Sequence, residues 1–555
     1  MKTRIQSLVG GAAAALLLAQ AAFAQPAMVD PAAAGALGRS IASAAAVADR
    51  ASTGVEVERA VTGAAQQVII NSAADPRLVL AALDQALAAC RTPGATRNFD
   101  WSCPGSGAAI NALAALRGIV LAQVDQTGPA SIGTRGYAAF GSIPTTSAAG
   151  AALAQTAQIE SVFQRDRNVS VRERARPAYD ALGIRSGAFL LFPRAEATAA
   201  YEDNIFAAQT DEESDTIFSF TPSLSADSQW SRHALNGRVR ANIFQYADNS
   251  TQNNEAYAAS MNGRLDVIRG AFLNGGLSYE HLVEPRTSQS SPFSAAEPVE
   301  YDQFGAEIGA VREFNRVRLS GDVNYRSYDF SDVVSRAGTP IDQDYRNNSS
   351  WEGRVRADYA LSPALAFYAT TIIHSWAFKE PNPGDVDRDA NGYQLAAGAD
   401  FELSNLMRGQ IQAGYMQNKF DDPTIDDITG LGLFGRIEYF PTDLLTVELN
   451  AERSVQATGV FGAAGIRHMG VGVQADYELL RNLILTARVD HNSDLYRGFE
   501  RKDKVWVGTL GANVLINRRV GMNVLYRRYE QSSSGLGAGP EFAVNRIQAG
   551  LVLQF

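Results

Sequence analysis

The stretch Arg546 to Phe555, RIQAGLVLQF, limits the fold more than any other part of the chain. Ile547, Ala549, Leu551, Leu553 and Phe555 fall on one face of an extended strand. Gln548, Gly550 and Gln554 fall on the other, where Val552 is the one bulky apolar residue. Alternation with period two gives a strand one apolar and one wet face. An unpaired strand edge cannot be left in hydrocarbon, because its N–H and C=O groups find no water there. In a bilayer this strand must therefore pair with the first strand of its own sheet, which closes a barrel.

The same period runs from Gly187 to the end. Arg238 and Arg240 alternate with Val239 and Ala241; Arg318 and Asp322 with Leu319 and Val323; Arg354, Arg356 and Asp358 with Val355, Ala357 and Tyr359; Glu448 with Val447 and Leu449. Short turns are expected near Ile268–Gly270, Glu313–Arg316, Leu361–Pro363, Ser404–Leu406, Pro441–Asp443, Leu480–Asn482 and Asn517–Arg519. Longer loops lie between them: Glu284–Pro298, Asp332–Asp344, Lys379–Ala390, Asp421–Thr429, Val455–Arg467 and Gln531–Pro540. A soluble sandwich also alternates, but short and long connections in turn mark a transmembrane barrel with periplasmic turns and extracellular loops. The expected fold is an all-β transmembrane barrel of about eighteen antiparallel strands over 187–555, with an N-terminal α-helical periplasmic domain. An even strand number leaves both barrel ends on the periplasmic side. Tyr201, Tyr279, Tyr359, Tyr439, Tyr477 and Tyr526 suit interfacial girdles.

Residues 1–24 read as a secretory signal peptide: Lys2 and Arg4, an apolar run from Leu8 to Leu18, and the small-x-small end Ala22-Phe23-Ala24. That run is too short for a spanning helix. Residues 25–126 are Ala-rich with helical spacing, as in Leu80, Leu83, Leu87 and Cys90, and again in Leu113, Leu116, Val120 and Val124. Helices are expected over Pro31 to Ala51 and Val55 to Ile70. Cys90 and Cys103, the chain's two cysteines, should be oxidised to each other in an exported protein. Closing a loop of that size stabilises by roughly 3 kcal/mol; a redox role is the alternative, but no C-x-x-C is present. Residues 127–186 comprise a Gly/Ala/Ser-rich linker, a short helix and the basic stretch Arg165, Arg167, Arg172, Arg174 and Arg176. The net charge is −10, and about −12 once Lys2 and Arg4 are lost, which disfavours a nucleic-acid partner.

No chemistry stands out that would need a cofactor, a metal or a catalytic group. His233, His281, His374, His468 and His491 are scattered without ligand spacing. His491-Asn492-Ser493 resembles the His and Ser placed two apart on a lipid-facing strand in outer-membrane phospholipases, but the chain is far longer and its surroundings do not match. The other constellation is the inward face. Arg238, Arg240, Arg318, Asp322, Arg354, Arg356, Asp358, Glu448, Asp476, Arg488 and Asp490 are its expected pore-lining residues. Such charges either brace the wall by pairing across strands or line a path for a hydrated solute; both roles are compatible, and mixed sign argues against selection for one ion charge.

Two resemblances follow. Leu551, Leu553 and the terminal Phe555 resemble the C-terminal signal that the barrel-assembly machinery reads in bacterial outer-membrane barrels. Arg176-Pro177, Gly183-Ile184-Arg185, Phe192-Pro193 and Tyr201-x-Asp203-Asn204, within Arg176 to Phe206, resemble the opening of a family of outer-membrane β-barrel porins that often accompany exopolysaccharide export systems. The resemblance spans roughly Arg176 to Phe555 and leaves out the helical domain. It implies a Gram-negative outer-membrane location in contact with lipid. It also implies passage of polysaccharide, with a periplasmic export partner. A diffusion porin for small solutes and a non-conducting structural or adhesive barrel are the alternatives.

Overall fold

The computed structural model describes residues 31–51 and 169–555, apart from 231, 380–384 and 404–405, together with 61, 65, 82, 83, 85–87 and 90. The segment read as a signal peptide, the Gly/Ala/Ser-rich residues 127–150, Arg165, Arg167 and Cys103 lie outside the described residues. The chain divides into two units, Met1–Arg117 and Gly118–Phe555.

In the first unit, α1 runs Pro31–Ala51, where the sequence places its first helix. Ile41, Ala42, Ala45 and Ala46 form its buried stripe at spacings of one, three and four, as a helix docked by one face requires. Val61, Ala65, Leu83 and Leu87 are also buried. Cys90 is disulfide-bonded.

The second unit is a closed antiparallel barrel. Its first strands are β2 (Phe189–Glu202), β3 (Asp215–Ser228), β4 (Ala234–Tyr246), β5 (Asn254–Ile268), β6 (Ala271–Val283), β7 (Glu300–Phe314) and β8 (Val317–Phe330). The wall continues with β11 (Asn348–Ser362), β12 (Leu365–Phe378), β13 (Ala390–Leu403), β14 (Met407–Phe420), β15 (Ile428–Thr442) and β16 (Leu445–Gln456). It ends with β17 (Gly465–Leu480), β18 (Leu483–Arg497), β19 (Lys502–Leu515), β20 (Val520–Ser534) and β21 (Phe542–Gln554). These are eighteen wall strands, each paired with its sequence neighbour, and β2 pairs with β21 from Arg194↔Gln554 to Glu202↔Arg546. No barrel edge is left open, as hydrocarbon demands. Three short strands stand apart from the wall count: β1 (Ile184–Ser186), which folds back on β2, and β9 (Val333–Val334) with β10 (Pro340–Ile341), a hairpin in the loop after β8.

Outward positions are apolar and exposed, for example Leu449, Val473, Val489, Leu510, Leu551, Leu553 and Phe555. At one end of the barrel the connections are short. The turn between β5 and β6 is Arg269-Gly270, where Gly270 takes φ +69 and an added Cβ would lie 3.3 Å from the Glu313 carbonyl oxygen. At the other end lie the long loops. Some boundaries differ from the sequence reading: Val455, Gln456 and Gly465 to Arg467 are strand, as are Gln531 to Ser534, because cross-strand pairing carries these residues past the point where apolar alternation fades. Three further long-end connections, 203–214, 247–253 and 498–501, were not separated in the sequence, nor was the turn 229–233.

Candidate functional site

The lumen is built from the inward half of every strand, and its wall has two unlike sectors. On β11 to β20 the inward side chains are mostly buried against one another. Arg356 reaches Asp358 and Asp400, each at 2.6 Å, and its guanidinium lies 3.6 Å from the centre of the Tyr368 ring. Arg354 holds Glu352 at 2.7 Å, Arg488 holds Asp490 at 2.6 Å, and Arg436 bridges Glu438 and Glu448 at 3.1 Å each. Pairing of this kind offsets the cost of taking charge out of water and braces the wall. On β4 to β7 the inward positions Asn236, Arg238, Asn262, Arg264, Asn274 and Glu307 are instead exposed, and small residues such as Ser260, Ser278 and Gly305 lie between them. Arg238 donates to Ser225 Oγ at 3.2 Å and Arg240 to Asn242 Oδ1 at 3.1 Å; among the described residues neither makes an ion pair. This sector is a wet lane of exposed hydrogen-bonding groups, in which Arg264 pairs with Asp266 at 2.9 Å and Asn236 donates to Asp227 at 2.6 Å.

At the short-turn end, residues 169–180 lie against the inner wall. The Val171 amide donates to Thr446 Oγ1 at 3.0 Å, and Arg172 reaches Asp476 at 2.9 Å and Thr486 at 3.1 Å. Arg174 and Arg176 both reach Glu478 at 3.0 Å, and Arg174 also donates to the Asp443 carbonyl. Glu173 completes the series against Arg408 at 2.6 Å. Burial pushes the Glu173 carboxyl up, but the Arg408 guanidinium together with hydrogen bonds from Ser170 outweighs this and holds it below its ordinary value. Further along, Arg518 donates to the Pro177 carbonyl at 2.8 Å and Gln554 to the Tyr179 carbonyl at 3.2 Å. Residues 169–180 thus form a strap along the wall from β14 to β21.

At the long-loop end, residues 284–299 cross the mouth. They leave β6 and return to β7, yet Tyr496 on β18 donates to Gln289 and Tyr529 on β20 donates to the Thr287 carbonyl at 3.5 Å. Nine wall strands lie between β6 and β18 in one direction and seven in the other, so this loop spans the lumen. Arg346 clasps it through Glu284, at 2.8 and 3.0 Å, with both side chains buried. Behind it, Arg388 ties three loops together by donating to the carbonyls of Tyr345, Val460 and Ala463 while pairing with Asp385 at 2.7 Å. Burial and the neighbouring Arg336 push Arg286 in this loop down to about 10.

Residues 176–555 match the family model described as "Putative beta-barrel porin 2". The chain belongs to this family. The match begins at Arg176, within the strap, so the porin unit includes the end of that segment as well as the wall. Among curated proteins no match is found. Solved structures with a similar fold include the outer membrane protein OpdK of Pseudomonas aeruginosa, at 13% identity over 66% of this chain and 99% of that one, TM-score 0.35. OccAB4 of Acinetobacter baumannii is 13% identical over 66% and 98%, TM-score 0.37, and a mutant of the ferric enterobactin receptor PfeA of P. aeruginosa is 6% identical over 66% and 80%, TM-score 0.39.

Each charge expected to line this porin has a definite place. Arg238 and Arg240 face the wet lane, Asp322 accepts from Asn324 at 2.9 Å, and Arg318 sits opposite Asp358 in the β8–β11 register. Arg354, Arg356, Asp358, Glu448, Arg488 and Asp490 brace the crowded sector, and Asp476 anchors the strap. Tyr368, Glu196 and Arg408 also belong to the inner wall, although the sequence did not single them out; period-two parity on their strands would have found them. The clasp Glu284–Arg346 carried no local signal, since two loop residues 62 positions apart have no pattern to share. His491 and Ser493 face outward while Asn492 is buried on the inward face, so the three do not assemble. His491 instead packs on Trp506, with ring centres 4.2 Å apart. Among the described residues no group of three or more His, Cys, Asp or Glu could hold a metal.

Proposed function

We propose that this porin is an outer-membrane conduit for a hydrated, hydroxyl-rich solute, with exported polysaccharide as the substrate class. The wet lane on β4 to β7 supports this reading. Its exposed Asn, Ser, Arg and Glu side chains offer both donors and acceptors to sugar hydroxyls without a dominant charge. The polymer rather than a small solute is favoured by the resemblance at Arg176 to Phe206. In this reading the short turns and the strap lie in the periplasm and the long loops outside the cell. The N-terminal helical unit then stands on the periplasmic side, where an export partner would dock.

The test is conductance of the purified full chain in planar bilayers, with neutral oligosaccharides of increasing length added on either side. A conduit of this kind shows current that oligosaccharides block at millimolar concentration. Asn262→Leu with Asn274→Leu, in the lane, should weaken that block severalfold. A conducting barrel that ignores oligosaccharides would make it a small-solute porin, and a barrel silent under all conditions a structural one.

A further inference from the structure

The outer surface of the barrel carries an uneven ring of charge at its long-loop rim. Outward positions on β17 read Arg467, Met469, Val471, Val473, Ala475 and Tyr477 from that rim downward, so Arg467 stands directly above the apolar band. Neighbouring strands repeat the arrangement. Arg453 is at the top of β16 above Ala451 and Leu449, Arg497 at the top of β18, and Lys502 and Lys504 at the top of β19 above Trp506. Pairing places these five together: Val455↔Arg467 and Arg453↔Met469 join β16 to β17, Arg467↔Leu495 and Gly465↔Arg497 join β17 to β18, and Leu495↔Lys502 and Ser493↔Lys504 join β18 to β19. With strands about 4.8 Å apart, the group covers about 15 Å of rim.

Each cation stands diagonal to the next across its strand pair, within reach of long side chains, so the like charges repel. Most inward arginines relieve this with a carboxylate; these five cations do not. Among the described residues none makes an ion pair, and the Nε of Arg497 is buried without a hydrogen-bond partner. Glu530, the outward carboxylate on β20, is already taken by Arg528 at 3.0 Å. Elsewhere on the rim the sign reverses: Glu255, Glu300, Asp302 and Asp329 face outward on β5 to β8, with His281 held by Asp302 at 2.9 Å. The basic sector is therefore a local feature of one side. Its height, at the top of the apolar band beside the Trp506 ring, is that of lipid headgroups.

We infer that Arg453, Arg467, Arg497, Lys502 and Lys504 form a docking surface for the phosphate groups of an outer-leaflet glycolipid. Basic residues at a membrane surface attract anionic headgroups, each adding to affinity. Trp506, exposed below Lys504, packs against the upper part of the acyl chains while its indole N–H stays near polar headgroup atoms. The bound lipid supplies the counter-charge that the protein omits. This inference rests on the orientation proposed above; surface labelling tests that orientation separately.

The experiment titrates the purified full chain, in zwitterionic detergent, with bisphosphorylated lipid A and with the same lipid stripped of phosphate. Bound lipid is counted by native mass spectrometry and thermal unfolding is followed in parallel. The native protein should bind the phosphorylated lipid and melt at a higher temperature with it, and should respond weakly to the stripped lipid. Substituting all five cations by Gln should weaken binding about tenfold or more. Glu300→Gln with Asp302→Gln and Asp329→Gln, in the acidic sector, should leave it unweakened. If the fivefold variant fails to fold, Arg467→Gln and Arg467→Lys replace it, the second retaining binding that the first reduces. Equal binding by the Gln variants overturns the inference, as does an equal response to stripped lipid. An equal response to inorganic phosphate would make the patch a free-anion site and overturn lipid docking.

Discussion

Arg176 and Glu478 are 302 positions apart in the chain and 3.0 Å apart in space, both nearly buried. The pair fastens the segment before the first barrel strand to β17, and Arg174 shares the same carboxylate. Removing Glu478 leaves two guanidiniums without their common partner, one of them buried. Glu478→Gln is therefore expected to release the strap and raise single-channel conductance in planar bilayers, while β-sheet content by circular dichroism stays unchanged. Deleting Gln25 to Tyr179 should raise conductance at least as much; no change in either would show that the strap does not restrict flow.

The strap should also respond to acid through Glu173. Its folded pKa lies below the ordinary value of 4.5, so its contribution is fully present above that value and is lost as pH falls through the lower folded pKa. Protease cleavage of the strap in detergent-solubilised protein should rise as the pH drops below about 4.5 and stay flat above it. Glu173→Gln should remove the part of this dependence that Glu173 carries. A strap equally protected in acid would locate its attachment elsewhere.

At the opposite mouth the clasp can be broken from either side. Glu284→Gln strands the buried Arg346 charge, a change that costs about 3–5 kcal/mol when nothing else compensates. Gly459→Ala acts sterically, because its Cβ would fall 2.6 Å from Arg346 Nε. Both should free the crossing loop 284–299, read as faster cleavage there by added protease. The Glu284 variant should be the more severe.

Leu449 and Glu448 test which face of β16 meets lipid. Leu449 is outward and exposed, so Leu449→Arg should destabilise the barrel by roughly 2–4 kcal/mol if it lies near mid-membrane. Glu448→Arg loses one partly exposed pair with Arg436 and should cost roughly 1 kcal/mol. Urea unfolding in lipid vesicles measures both, and equal damage would reverse the face assignment.

The barrel was legible in the sequence because its physics is local. Parity along a strand tells lipid from lumen, so Leu449, Leu551 and Arg356 could be assigned their faces before any coordinates. The alternation of turn lengths told one end from the other. What parity cannot say is whether an inward charge is spent or free. Arg356 and Arg240 read alike in sequence, yet Arg356 is locked between Asp358 and Asp400 while Arg240 donates to the neutral Asn242. That difference depends on which strands lie opposite and how far the side chains reach. The crossing loop was hidden for the same reason: Gln289 meets Tyr496 only because the barrel closes and brings β18 across from β6.

The pairing of β2 with β21 also bears on how the molecule comes into being. Arg194 and Gln554 are register partners separated in sequence by nearly the whole wall, so forming this seam closes a loop that contains every other wall strand. Loop-closure entropy makes such a contact late and slow. Until then β2 carries an unsatisfied edge, a template for pairing with a stray strand of another chain. A premature stop before Phe542 would make that condition permanent. The damage from such a truncation would fall on neighbouring proteins through aggregation, as well as on the pore itself.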